Sequence, residues 1–129
     1  MNLNEVTLIG RLGAKPKVIK GDDKPSFVVC KIATNEYWKH NGEIHNHTEW
    51  HTIEVNNPGL LYLYMDFFTK HCNVGDEVFV RGRLRSRDWE TKEGTKRSTT
   101  VIKVDNFHLL RRKKDAEQLP NVEESAVTK

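Results

Sequence analysis

Apolar and polar residues alternate with period two along five stretches of this chain, the signature of half-buried β-strands. Residues Leu3–Leu12 carry Val6, Leu8 and Gly10 on one parity and Thr7, Ile9 and Arg11 on the other. With apolar residues on both parities, this strand is central or shared between two layers. Gly13-Ala14-Lys15-Pro16 breaks it, Lys17–Lys20 reads as a short strand, and Gly21-Asp22-Asp23-Lys24-Pro25 reads as a turn. Ser26–Asn35 is the second long strand, with Phe27, Val29 and Lys31 against Val28, Cys30 and Ile32. From Glu36 to Thr48 the chain is polar and turn-prone around Asn41-Gly42, although it opens with Tyr37-Trp38. Trp50–Val55 resumes a strand. Glu77–Arg87 is the fourth long one, with Val78, Val80, Gly82 and Leu84 on one parity and four arginines on the other. After a hairpin tip at Lys92-Glu93-Gly94-Thr95, Lys96–Leu110 is the fifth.

One stretch has the other period. Asn57 fits an N-cap and Pro58 the first helical position, where its missing N–H costs nothing. Leu60, Tyr64, Phe67, Phe68 and His71 then follow at spacings of three and four, and Asn73 and Gly75 end the run. The aromatic content makes this a helix held by packing rather than by propensity. Five long strands with one helix between the third and fourth predict an all-β fold, a small barrel with the helix plugging one end. An antiparallel sandwich also accommodates five strands; the lone helix favours the barrel. Residues 111–129 have no periodic apolar face and read as a flexible polar tail after a domain of residues 1–110.

A chain of 129 residues with 36% hydrophobic content forms one domain with a modest core. No run approaches the roughly 18 apolar residues of a spanning helix, so no membrane partner is expected. The start, MNLNEVTLIG, shows no secretory signal. Two cysteines, Cys30 and Cys72, lie in apolar surroundings and make no disulfide framework. The small core and the doubly apolar first strand, Leu8 included, point to surface hidden against copies of the same chain.

Net charge is only +3, yet its placement is informative. Arg81, Arg83, Arg85 and Arg87 share one parity with no acid two residues away. Charged strand faces are often merely solvated, but such a row repels itself, and a phosphate backbone relieves that repulsion. Arg83 and Arg85 are the foremost phosphate candidates. Arg11, Lys31 and Arg97 are candidates for the same track, with Lys39, Lys96 and Lys103 behind them. His45, His47 and His51 have no tight ligand spacing, so neither metal nor cofactor is expected. The chain shows no GxSxG elbow, no GxxxxGK[ST] loop and no HExxH, and its acids occur as adjacent pairs that point apart. These features predict no enzyme.

Four blocks occur in a telling order: Leu8-Ile9-Gly10-Arg11-Leu12-Gly13, Ile32-Ala33-Thr34-Asn35-Glu36, Thr48-Glu49-Trp50-His51, and Val78-Phe79-Val80-Arg81-Gly82-Arg83-Leu84. Together they resemble the bacterial and mitochondrial single-stranded DNA-binding proteins from about residue 3 to 110. That resemblance implies a five-stranded oligonucleotide-binding (OB) barrel assembled as a homotetramer. Single-stranded DNA would wrap around it without sequence preference during replication, with replication proteins as further partners. It implies base stacking for Trp38, Trp50 and Trp89, and a subunit contact for His51. Packing is the plain alternative for any tryptophan. Here Trp38 and Trp89 sit near polar hairpin tips, where a ring stays exposed unless something stacks on it. An OB-like protein-interaction subunit of a nucleic-acid-associated complex is the alternative function.

Within the resemblance, Asn56-Asn57-Pro58-Gly59-Leu60 is more similar to mitochondrial members. The end, LPNVEESAVTK, lacks the acidic, Phe-tipped peptide of bacterial ones. Both features predict a mitochondrial protein of the nucleoid, in mature form without a transit peptide, with the bacterial cytoplasm as the alternative location.

Overall fold

The alternation becomes six strands in the computed structural model, which describes residues 1–19, 27–56, 67 and 70–116. They are β1 (Val6–Leu12), β2 (Lys17–Ile19), β3 (Phe27–His40), β4 (Glu43–Val55), β5 (Glu77–Glu90) and β6 (Lys96–Arg111), followed by a single helical turn, α1 (Lys113–Ala116). Their order in the sheet is β1-β5-β6-β4-β3-β2. A further pairing of β1 with β3, Arg11 opposite Ala33 and Leu12 opposite Ile32, closes the five long strands into the OB barrel. The short β2 flanks β3 outside that ring. The one parallel contact joins β4 to β6 at Ile53–Ile102 and Glu54–Lys103.

Inward residues of every long strand build the core: Leu12, Val28, Cys30, Ile32, Ile53, Val55, Val78, Val80, Ile102, Val104 and Phe107, with Cys72 beside them. Two glycines allow backbones to meet. A Cβ on Gly10 would stand 2.4 Å from the Ala33 carbonyl oxygen at the β1–β3 seam. One on Gly82 would stand 2.1 Å from that of Lys103. Gly82 lies where the β5–β6 register shifts: Arg81 faces Asn106 and Gly82 faces Val104, so Asp105 is an extra residue in β6.

The sequence expectation is corrected in two places. The second and third long strands run well past their expected ends at Asn35 and Trp50, into the polar stretch between them. β3 and β4 pair without a break from Val28–Val55 to His40–Glu43. They turn at Asn41 (φ 50°) and Gly42 (φ 80°), the positive-φ pair of a tight hairpin. The second correction concerns the helix expected between the third and fourth long strands, because among the described residues the element order passes from β4 to β5 with no continuous helical element, and of that stretch only Phe67, Lys70 and His71 are described as helical. Most of the stretch from Asn57 to His71 lies outside the described residues. That expectation rested on one cap and an aromatic stripe of modest propensity, and packing decides such a stripe. Of the stripe, Phe67 meets His71 at 5.7 Å and packs edge-on to Phe107 at 6.3 Å.

β6 ends at Arg111, and Asp76 fastens the chain just beyond it. Its buried carboxylate accepts the Asn73 N–H at 2.9 Å and the Lys113 N–H at 3.0 Å. Residues 117–129, the greater part of the expected tail, lie outside the described residues.

Both cysteines are free and buried. Burial, then the charge of nearby Cys72, pushes the Cys30 thiol up from 9.0 to about 12. Burial and then Asp76 push Cys72 to about 11, against a smaller opposing effect of Arg112. Unfolded thiols release their protons first, so between pH 9 and about 11 the unfolded state binds fewer protons and stability falls as pH rises. The urea midpoint of the parent is therefore expected to fall more steeply from pH 8.5 to 10.5 than that of a folded Cys30→Ala/Cys72→Ala variant. Parallel slopes would show that the thiols carry none of the dependence.

Candidate nucleic-acid interface

Strand register decides which candidates share a face. On β5 and β6, Arg83 stands opposite Lys103, Arg85 opposite Val101, Arg87 opposite Thr99 and Trp89 opposite Arg97. Lys103 faces Glu54 on β4. On β3 and β4, Lys31 stands opposite Thr52 and Ala33 opposite Trp50, with Arg11 beyond Ala33. One outer face therefore carries Trp89, Arg97, Arg85, Arg83, Lys103, Lys31 and Trp50. Trp38 belongs to the other parity of the β3–β4 arm, opposite His45. Of the foremost sequence candidates, Trp38 and the two subunit-contact residues stand off this face, and Arg11 lies at its edge at the end of β1; Lys96, opposite Glu90, has the other parity of β6.

The four alternating arginines divide into two pairs. Arg81 is bound to Glu5, with 2.7 Å between Nη2 and Oε1. Arg87 reaches Glu54 Oε1 at 2.6 Å, and its guanidinium lies 4.6 Å from the centre of the Phe27 ring. The Glu54 side chain is 3% exposed. Arg87 thus ties the β5–β6 arm to β3 and β4 and serves as structure. Arg83 and Arg85 are exposed and have no acidic partner among the described residues. Arg11 donates to the Gly75 carbonyl at 3.2 Å, so part of its donor fork is committed to the end of β1.

All three tryptophans are half exposed: Trp38 48%, Trp50 55% and Trp89 47%. A large apolar ring left about half in water is costly unless a flat partner covers it. Trp89 donates its indole N–H to Thr99 Oγ1 at 2.9 Å, which sets the ring's orientation. Beside it the β5–β6 arm holds a hollow of about 660 Å³ lined by Asp88, Trp89, Glu90, Lys96, Arg97 and Ser98. The Trp38 ring stacks on His45 with 5.8 Å between ring centres, which covers one of its two faces. On the same arm His47 hydrogen-bonds Glu49 at 2.8 Å and holds that carboxyl below the usual range. Among the described residues no group of three or more His, Cys, Asp or Glu is placed to hold a metal ion. Nor is any of their helices long and apolar enough to cross a membrane.

The subunit-contact candidates fall differently. Leu8 packs against the barrel core. His51 is half-buried, with Nε2 2.9 Å from Thr34 Oγ1. The outward apolar residue of β1 is Ile9, 56% exposed. It stands opposite Phe79, whose ring meets His108 at 5.8 Å, so an apolar line crosses β1, β5 and β6. Sequence reasoning passed over Ile9 because both parities of β1 are apolar; the sign that could have found it is Arg11, which marks Ile9's parity as the outer one.

Compared with known proteins, residues 3–110 match the Single-strand binding protein family. The chain belongs to that family. A single-stranded DNA-binding protein 1 of Xylella fastidiosa is 37% identical over 93% of this chain and 86% of its own length. A single-stranded DNA-binding protein of Rhizobium meliloti is 32% identical over 83% of this chain and 60% of its own length. Among solved structures, a Plasmodium falciparum SSB in complex with ssDNA superposes with a TM-score of 0.71 at 28% identity, covering 85% of this chain and 97% of that one. Family membership makes the chain a DNA-binding protein and not an enzyme.

The expected closeness to mitochondrial members is corrected. A mitochondrial relative from Xenopus laevis is 29% identical over 84% of this chain, below both bacterial relatives. The expectation leaned on two short segments outside the strands, Asn56–Leu60 in the connection from β4 to β5 and the end LPNVEESAVTK. Segments of that kind vary more freely than barrel positions, so a short match there says little about ancestry.

Proposed function

We propose that this protein binds single-stranded DNA without sequence preference and protects it during replication, wrapping it around a homotetramer. Bases stack on Trp50, Trp89 and the face of Trp38 that His45 does not cover. Arg83 and Arg85, with Lys31 and Arg97, take the phosphates. The observation that carries this reading is the division of the arginine row: two guanidiniums are used internally, and the two between them project from a face that also bears exposed indoles. Stacking uses the π-face common to all bases, and phosphate contacts carry no sequence information, so this combination is sequence-tolerant.

The line Ile9–Phe79–His108 supports assembly. β1 meets β3 only at Arg11 and Leu12, so along Val6–Gly10 its second backbone edge has no strand partner among the described residues. An unpaired edge beside an apolar line suits a second copy of the chain.

Titrating the tryptophan fluorescence with oligo-dT, oligo-rU and duplex DNA at two salt concentrations tests the binding. Strong quenching by oligo-dT, weakening steeply with salt, is expected. Equal affinity for duplex DNA, or binding insensitive to salt, would refute it. Sedimentation equilibrium is expected to show a tetramer, and a monomer at micromolar concentration would refute the assembly.

A further inference from the structure

Gly13 is absent from the positive-φ glycines, which are Gly42, Gly75 and Gly94, so its backbone does not call for glycine. Space does. A Cβ at Gly13 would stand 2.0 Å from Cζ3 of Trp50, 2.7 Å from Cη2 and 3.0 Å from Cε3. The six-membered edge of the indole rests on the bare Cα of residue 13.

Nor can the backbone withdraw. The Gly13 N–H donates to the Lys31 carbonyl at 2.9 Å, the Leu12 N–H to that of Asp76 at 3.0 Å, and the Gly75 N–H to that of Leu12 at 2.8 Å. The end of β1 is held between β3 and the turn before β5. Trp50 stands opposite the small residue Ala33 on the same outer face, so it meets the end of β1 from the β4 side.

We propose that Gly13 is the positioning residue for Trp50: it is a seat, free of side chain, that holds one edge of the indole while 55% of the residue stays open to a base. The proposal rests on the stacking reading of Trp50 and adds what sets the ring's orientation. A ring held in place before binding loses less rotamer freedom when a base stacks on it. A methyl group at position 13 pushes the far end of a side chain, not a backbone, so the barrel stays folded and the ring swings out.

The test uses two readouts. In a Trp38→Phe/Trp89→Phe chain Trp50 is the sole indole, and adding Gly13→Ala is expected to shift its emission to longer wavelength and raise its quenching by acrylamide. Unchanged emission and quenching would overturn the proposal. In the full chain, Gly13→Ala is expected to lower oligo-dT affinity about three- to tenfold, less than full loss of a stacked base. It should cause no further loss once Trp50→Ala is present, because the two act as one unit. An equal loss in both backgrounds would overturn the proposal, since glycine would then act elsewhere. A shifted emission with Trp50→Ala binding as the parent does would support the seat and refute the stacking reading. Should Gly13→Ala fail to fold, adding Trp50→Phe, which lacks the outer indole ring, is expected to restore folding. Failure to restore it would overturn the proposal.

Discussion

Replacing Arg87 with alanine is expected to destabilise the folded chain by about 3 kcal/mol, the lower end of the range for stranding one partner of a buried ion pair. The carboxylate left behind is nearly out of water, with the Glu54 side chain 3% exposed. Its only other side-chain donor among the described residues is the Asn56 amide at a long 3.5 Å. The lower end applies because Arg87 itself is 41% exposed and its charge is partly screened. Urea unfolding reads the effect as a lower midpoint at unchanged slope. Replacing both residues, Glu54→Gln with Arg87→Met, should recover most of the loss because no buried charge remains. A loss below about 1 kcal/mol in the single variant would show that water already reaches Glu54.

The second large effect divides affinity between stacking and charge. Trp50→Ala should weaken oligo-dT binding by roughly 1–3 kcal/mol for each base that stacks there, about five- to 150-fold. It removes no phosphate contact, so the dependence of log K on log salt should stay the same. Arg83→Ala or Arg85→Ala should lower that slope by about 0.7 for each phosphate of a single strand left without its cation. Where Arg87→Ala remains folded, its slope should match the parent, since that guanidinium is occupied by Glu54 and Phe27. If folded Trp50→Ala binds as tightly as the parent, the ring belongs to packing. If Arg87→Ala lowers the slope as Arg83→Ala does, the division of the row is wrong.

Much of the barrel is legible in the residue pattern alone. The alternation in β1 and β5 names the inward residues Val6, Leu8, Leu12, Val78 and Val80 and the outward arginines, because a pleated strand shows successive side chains to opposite faces. The β3–β4 arm is less legible: both faces beyond Ala33 are exposed, so no apolar stripe marks it as strand, and only Asn41-Gly42 signals the hairpin. β6 misleads more subtly. Read as one alternation, Val101, Lys103 and Asp105 share a face, but the extra residue at the register shift moves Asn106 and His108 to the outer side.

By itself, then, the sequence determined the barrel strands, the core that fills them, and which parity of β5 carries charge, since each depends only on neighbours within one strand. Closure of the barrel decided the rest. Arg81 meets Glu5 across 76 residues and Arg87 meets Glu54 across 33, so which arginines remain for phosphate is settled by the approach of distant strands. Gly13 becomes a seat for Trp50 for the same reason. A strand's pattern sets which way its side chains point, whereas what they meet depends on the register and curvature of the strands around them.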